Sequence, residues 1–197
     1  VRKGVHMQRI FTVDGRPFFP LGGQARNSSG YSDDESATAF RAIELIGGNT
    51  LEIPVYWEQV EPVEGQFDFW AVDDLLLRAR AEGIRLVLLW FGTWKNGDMD
   101  YVPAWVKTDP ARFRRVTSST GKTVWVLSSH CRANFEADRA AFVALCRHLA
   151  EFDAAARTVI ALQVENEPGI LASDRDYHPE AQAVFDAVDR LRPGTSD

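Results

Sequence analysis

Val159-Ile-Ala-Leu-Gln-Val-Glu-Asn-Glu-Pro-Gly169 is an apolar strand that ends abruptly in two carboxylates and an amide. A run of this kind, without polar alternation, predicts a strand covered on both faces, as in parallel sheets flanked by helices. Barrel and open α/β proteins place their chemistry at the C-terminal lip of such strands. Pro168-Gly169 then breaks the chain away, which leaves Glu165, Asn166 and Glu167 aimed over the end of the sheet.

Upstream of this strand, the pattern repeats. Asn134 to Phe152 reads as a helix with Phe142, Leu145, Cys146 and Leu149 inward, and Arg85 to Trp90 reads as a buried strand. Before them stand a helix over Trp70 to Glu82, closed by Gly83 with Leu75, Leu76 and Ala79 inward, and a strand over Thr50 to Tyr56. Ser32-Asp-Asp-Glu35 has the form of a capping box that opens a further helix, with Phe40, Ile43, Leu45 and Ile46 as its apolar stripe and Gly47-Gly48 at its end. Pro20-Leu-Gly-Gly23 is a short first strand, and Asp14-Gly15 marks a hairpin turn ahead of it. Downstream, His178-Pro179 opens a last helix with Val184, Phe185, Val188 and Leu191 on one face. A long excursion from about Gly92 to Ala133 should hold its own hairpin, Arg115 to Thr117 against Thr123 to Val126, and connections of that length usually serve a site. Four strand–helix repeats imply parallel strands with right-handed crossovers. They suit either an open doubly wound sheet or half of an eight-unit barrel.

Bulk properties narrow the function. The 197 residues fit one domain, and 45% hydrophobic with 25% charged residues is an ordinary globular balance. A net charge of -6, with no basic patch beyond Arg112 to Arg115, argues against nucleic acid. Cys131 and Cys146 make no disulfide framework, and His6, His130, His148 and His178 form no metal-ligand cluster, so no metal is expected; with no G-x-G-x-x-G in the chain, an organic dinucleotide cofactor has no foothold either. No run approaches a membrane span. No leader pattern stands in the residues given, which leans towards a cytoplasmic setting, although Asn27-Ser-Ser29 matches a glycosylation sequon. Gly121-Lys-Thr123 resembles the end of a phosphate loop, yet position 116 is Val116 where that motif needs glycine, and a hairpin surrounds it.

The acid–amide–acid lip remains. Cleaving a glycosidic bond takes two carboxylic groups flanking the sugar, about 5–5.5 Å apart for retention and about 6.5–9.5 Å for inversion. Glu165 and Glu167, two apart on one strand, should approach a substrate from the same wall; one then acts as acid/base, the other supports it, and the partner carboxylate comes from another strand. Aromatic residues gather at neighbouring strand ends. Trp90 reads as core, whereas Trp57 and Trp94 are candidates to stack on a sugar face.

At these residues the chain resembles a clan of retaining glycoside hydrolases built on (β/α)8 barrels, most closely the β-galactosidase families 35 and 42. Gln163-Val-Glu-Asn-Glu-Pro-Gly169 is similar to their fourth-strand signature. Trp57, Glu61-Pro62 and Glu64-Gly-Gln-Phe-Asp-Phe69 are similar to a second-strand stretch, and Pro103-Ala-Trp-Val106 to a motif after the third strand. Gly22-Gly23 leading to Asn27 resembles the end of the first. The resemblance implies that Glu167 is the general acid/base of a double displacement on a β-glycoside, with Asn166 hydrogen-bonding the sugar 2-hydroxyl. Glu165, Trp57, Trp94 and Asn27 complete the expected substrate contacts. Two departures bear on the sugar: Phe91-Gly-Thr93 stands where family 35 has a galactose-holding Cys-Ala-Glu, and Asn27 replaces a first-strand aromatic.

The families' nucleophile is a glutamate on a seventh strand, and no residue here matches it; Glu52 and Glu58 are the other carboxylates near strand ends. The expectation is therefore the N-terminal half of a glycosidase barrel, residues 1–197, preceded by a short hairpin, with a carbohydrate as partner. Such a fragment should be inactive alone. The rivals are a non-catalytic sugar-binding module using Trp57, Trp94 and Asn166, and an α/β enzyme abstracting protons with Glu165 and Glu167.

Overall fold

The structure, a computed structural model, describes residues 10–189. A two-residue hairpin opens it, with β1 (Thr12–Val13) antiparallel to β2 (Arg16–Pro17). Its turn residues Asp14 and Gly15 both have positive φ, 54° and 73°, which the right-handed twist of a tight hairpin favours. The Asp14 carboxylate then accepts from Arg85 at 2.8 Å and Arg157 at 3.0 Å, which ties the hairpin beneath the starts of two later strands.

Four parallel strands form the frame: β3 (Gly22–Gln24), β4 (Thr50–Tyr56), β5 (Arg85–Phe91) and, after an excursion, β8 (Val159–Gln163). Between them lie α1 (Asp33–Leu45), α3 (Trp70–Glu82) and α5 (Arg132–Phe152), with the single-turn α2 (Trp57–Val60) directly after β4. The spatial order β3-β4-β5-β8 is also the chain order. A doubly wound sheet reverses direction at a switch point. Here every crossover steps the same way, as in a barrel wall. That resolves the choice the repeats alone leave open.

Alternation along the strands separates two faces. Leu51, Ile53, Val55, Leu86, Leu88 and Trp90 are buried against the helices, with Phe40, Ile43, Leu76, Ala79, Leu145 and Leu149. Tyr56, Leu89 and Phe91 form a second cluster with Val87 and Tyr101 on the opposite face. Local signals terminate the elements as the sequence suggests. The Glu35 amide donates to Ser32 Oγ at 3.4 Å at the head of α1, and Gly83 closes α3 with φ 70°. Gly22 is obligatory, because a Cβ there would lie 1.6 Å from the Thr50 carbonyl oxygen across the ladder.

The excursion carries α4 (Ala104–Lys107) and the expected hairpin, β6 (Arg115–Thr117) with β7 (Thr123–Leu127). The hairpin anchors the chain beyond β8: Asp176 accepts from Thr117 N at 3.0 Å and Ser128 Oγ at 2.5 Å, and Tyr177 N donates to the Thr117 carbonyl. Then follows α6 (Pro179–Asp189).

Several expectations are corrected. Leu45 and Ile46 are exposed, since α1 ends at Leu45 and only Phe40 and Ile43 reach the sheet. β8 is shorter than the apolar run and only half-covered, because it forms an edge of the four-stranded sheet. For the same reason Phe142 and Cys146 of α5 are half-buried. Val184, Phe185 and Val188 of α6 are exposed. Leu191 falls outside the described residues.

Candidate active site

The lip of β8 abandons strand geometry. Glu165 and Glu167 both take left-handed backbone, φ 62° and 52°, a sparsely populated state for residues with a Cβ. Strand periodicity therefore fails at this point, and the two glutamates do not share a wall. That expectation is corrected.

Glu165 turns away from Glu167, towards α5. Its Oε1 accepts from the Thr93 amide at 3.1 Å and its Oε2 from the Trp94 amide at 2.9 Å. Asp138, buried on α5, faces it and accepts from Trp90 Nε1 at 2.8 Å and Thr93 Oγ1 at 2.5 Å. Burial drives the Glu165 pKa up to about 10, helped by the hydrogen bond and charge of Asp138 and opposed by the two amides. Its environment thus favours the carboxylic-acid form of Glu165, with Asp138 as hydrogen-bond partner. Gly92 makes room for the pair: a Cβ there would lie 2.7 Å from Asp138 Oδ1 and 2.9 Å from Glu165 Oε1. Glu165 holds the end of β5 to the end of β8.

Glu167 behaves oppositely. Its side chain is 66% exposed and stands 3.6 Å from the Lys95 ammonium. Asn166, 7% exposed, accepts through Oδ1 from Lys95 Nζ at 2.6 Å. Lys95 itself is 7% exposed, bonds Asn96 Oδ1 as well, and sits 5.1 Å above the Phe91 ring. Its inward aim comes from a tight turn. Asn96 and Gly97 have φ 54° and 72°, and Lys95 and Asp98 exchange backbone bonds of 3.0 Å across them. Sequence reasoning passed over Lys95, although Asn96-Gly97 is a hairpin dipeptide that signals this turn.

The remaining candidates divide. Trp94 is half-buried, joined to the lip through its amide, and its indole Nε1 is buried without a partner. It lines a cavity of about 330 Å³ with Trp90, Asp138, Phe142 and Glu165. Asn27 is half-buried at the same end of the sheet. Its carbonyl accepts from the Tyr56 hydroxyl at 2.6 Å, and no hydrogen bond joins it to Lys95, Asn166 or Glu167. Trp57 is corrected: it is 0% exposed, donates to Glu61 Oε2 at 2.8 Å and meets Trp105 edge-on, leaving no face for a sugar. Glu61 also accepts from Gly65 N at 2.8 Å, while its carbonyl takes Trp105 Nε1 at 3.0 Å. The motif residues Trp57, Glu61, Gly65 and Trp105 therefore lock the frame together behind the lip.

Parallel strands wound in one direction, with an amide and an exposed carboxylate at their C-terminal end, have the form of part of an enzyme barrel of the (β/α)8 class. Within that class the chain belongs to glycoside hydrolase family 42, whose model, described as Beta-galactosidase, matches residues 30–192. A Beta-galactosidase of Xanthomonas manihotis is 28% identical over 186 residues, covering 89% of this chain and 28% of that protein. The chain thus spans just over a quarter of the length of this curated relative. Among solved structures, the cold-adapted beta-galactosidase of Rahnella sp. R3 superposes with a TM-score of 0.67 at 19% identity, over 88% of this chain and 24% of the other. A catalytic mutant of a GH42 beta-galactosidase from G. stearothermophilus gives 0.62 at 20% identity, over 86% and 24%. These structural likenesses carry the fold, a partial (β/α)8 barrel.

Proposed function

We propose that the polypeptide containing this chain hydrolyses terminal β-galactosides with retention, Glu167 serving as general acid/base. The observation that carries the reading is the Asn166–Glu167 pair at the lip of β8 in a family 42 chain: a buried amide beside an exposed carboxyl group. Residues 1–197 form the N-terminal half of the catalytic barrel. The nucleophile is then a glutamate of a seventh strand outside these residues, as the resemblance implies; Glu165, the nearest carboxyl group in sequence, does not stand in for it, being engaged by Asp138, Thr93 and Trp94. In the first step the nucleophile attacks C1 while the Glu167 carboxylic acid protonates the departing oxygen, leaving a glycosyl ester. In the second, the Glu167 carboxylate takes a proton from water as that water attacks C1 and releases the ester. Asn166 donates to the sugar 2-hydroxyl, and Trp94, half-buried beside the lip, meets a sugar face in this reading.

The test is Glu167→Gln in the full-length polypeptide, comparing substrates by leaving group. Hydrolysis of alkyl galactosides or disaccharides, which need the proton, should fall by roughly 10²–10⁴-fold. First-step rates on dinitrophenyl galactosides should fall far less. Equal losses on both substrate classes would remove Glu167 from this role.

A further inference from the structure

Lys95 is an ammonium group held at the end of β5 almost wholly out of water. Such burial is unfavourable unless oxygens replace the lost hydration. Asn96 Oδ1, Asn166 Oδ1 at 2.6 Å and Glu167 Oε2 at 3.6 Å supply them. The direction of these contacts has a chemical consequence. An ammonium has three donors and no acceptor, so the Asn166 atom against it must be the carbonyl oxygen. Flipping that amide would press its NH2 group against a cation. Asn166 Nδ2 therefore faces away from Lys95, and it has no acceptor among the described residues.

We propose that Lys95 is a positioning residue that clamps the Asn166 carbonyl oxygen, so that the amide presents only N–H donors to the sugar and thereby sets recognition of the 2-hydroxyl. The proposal rests on the reading that Asn166 meets that hydroxyl. The left-handed backbone at Glu165 and Glu167 makes the clamp necessary: with strand pairing ended at Gln163, no ladder holds Asn166 in orientation. Lys95 fixes it from the segment after β5 through a turn in which Gly97 takes left-handed backbone, φ 72°, where a side chain would be strained and a Cβ would press on Leu171 Cγ at 2.6 Å.

The experiment compares kcat/KM for an aryl β-galactoside and its 2-deoxy analogue in the full-length polypeptide. The ratio of the two constants reports the 2-hydroxyl contact and is insensitive to the amount of folded enzyme. Asn166→Ala should collapse the ratio. Lys95→Met should lower it by at least about tenfold, the scale on which a site built for a hydroxyl loses discrimination when its donor is misaligned. Lys95→Gln, which keeps an N–H donor, should retain more of it, and Glu167→Gln should lower both constants while sparing the ratio. A collapse in Asn166→Ala with the ratio unchanged in Lys95→Met overturns the clamp. An unchanged ratio in Asn166→Ala overturns the underlying reading of Asn166. Should Lys95→Met fail to fold, NMR relaxation of the wild-type Asn166 side-chain amide decides: a rigid NH2 group supports the clamp, and a freely reorienting one refutes it.

Discussion

Glu165 and Glu167 are chemically identical and two positions apart, yet their surroundings differ completely. Glu165 is enclosed by α5 and two backbone amides next to a second carboxyl group; Glu167 stands in solvent beside a cation. The sequence shows that acids cluster at this lip but not which one turns inward. That depends on two left-handed residues and on Asp138, 27 positions earlier by the numbering. A pH signature follows. The Glu165 pKa is raised in the folded state, so the native protein holds a proton that the unfolded chain releases above its ordinary value of 4.5. Stability attached to this group is full below about pH 4.5 and declines as pH rises towards about 10. Glu165→Gln imitates the protonated acid, and the Thr93 amide keeps Asp138 Oδ2 as an acceptor at 3.2 Å. The variant should melt near wild type at pH 5 and above it at pH 8–9, with a gap that widens steadily with pH. Parallel melting curves across that range would show that Glu165 is ionised in the fold.

At the level of elements, periodicity and end signals read well. The helix over Trp70–Glu82 with its closing Gly83, the strand Thr50–Tyr56 and the hairpin within the excursion all stand where the sequence puts them. The misses have physical causes. Leu45 and Ile46 continue an apolar stripe beyond the last turn that faces the sheet. Trp57, placed at a strand end, suggests a sugar platform, but α2 begins at that residue and rotates the indole into the core. The family-like Trp57…Glu61…Gly65 stretch and Trp105 thus act together through Glu61, whose buried carboxylate takes Trp57 and Gly65 and whose backbone carbonyl takes Trp105. Glu61→Ala strands the Trp57 and Gly65 donors and opens a void, and should cost about 2–4 kcal/mol. Glu61→Gln keeps one acceptor and should cost less. Urea unfolding of both variants checks the order; a loss under about 0.5 kcal/mol in Glu61→Ala, within surface-substitution range, would deny the knot its structural role.

Across the whole molecule, composition and strand–helix alternation establish parallel strands but not their winding. Only the strand order, in which each crossover advances the same way, selects a barrel wall over a doubly wound sheet. The same winding leaves an open flank in the described residues. β8 lacks a partner on its far side, and Cys146, Leu149, Ile160 and Leu162 border a hollow of about 660 Å³. Val164, Leu171, Val184, Phe185 and Val188, in β8's own continuation and in α6, add further exposed apolar surface. An unpaired parallel edge next to such a patch is a template for association. The 197-residue chain studied by itself should therefore self-associate and bind a hydrophobic dye. Val164→Lys together with Leu171→Lys should reduce both effects, because they place charge on the patch without touching the clusters that hold the sheet to its helices. Light scattering after gel filtration reads the first effect and dye fluorescence the second. A monodisperse, dye-silent wild-type monomer would mean that the flank closes upon itself in solution, and the edge geometry of β8 would have to be abandoned.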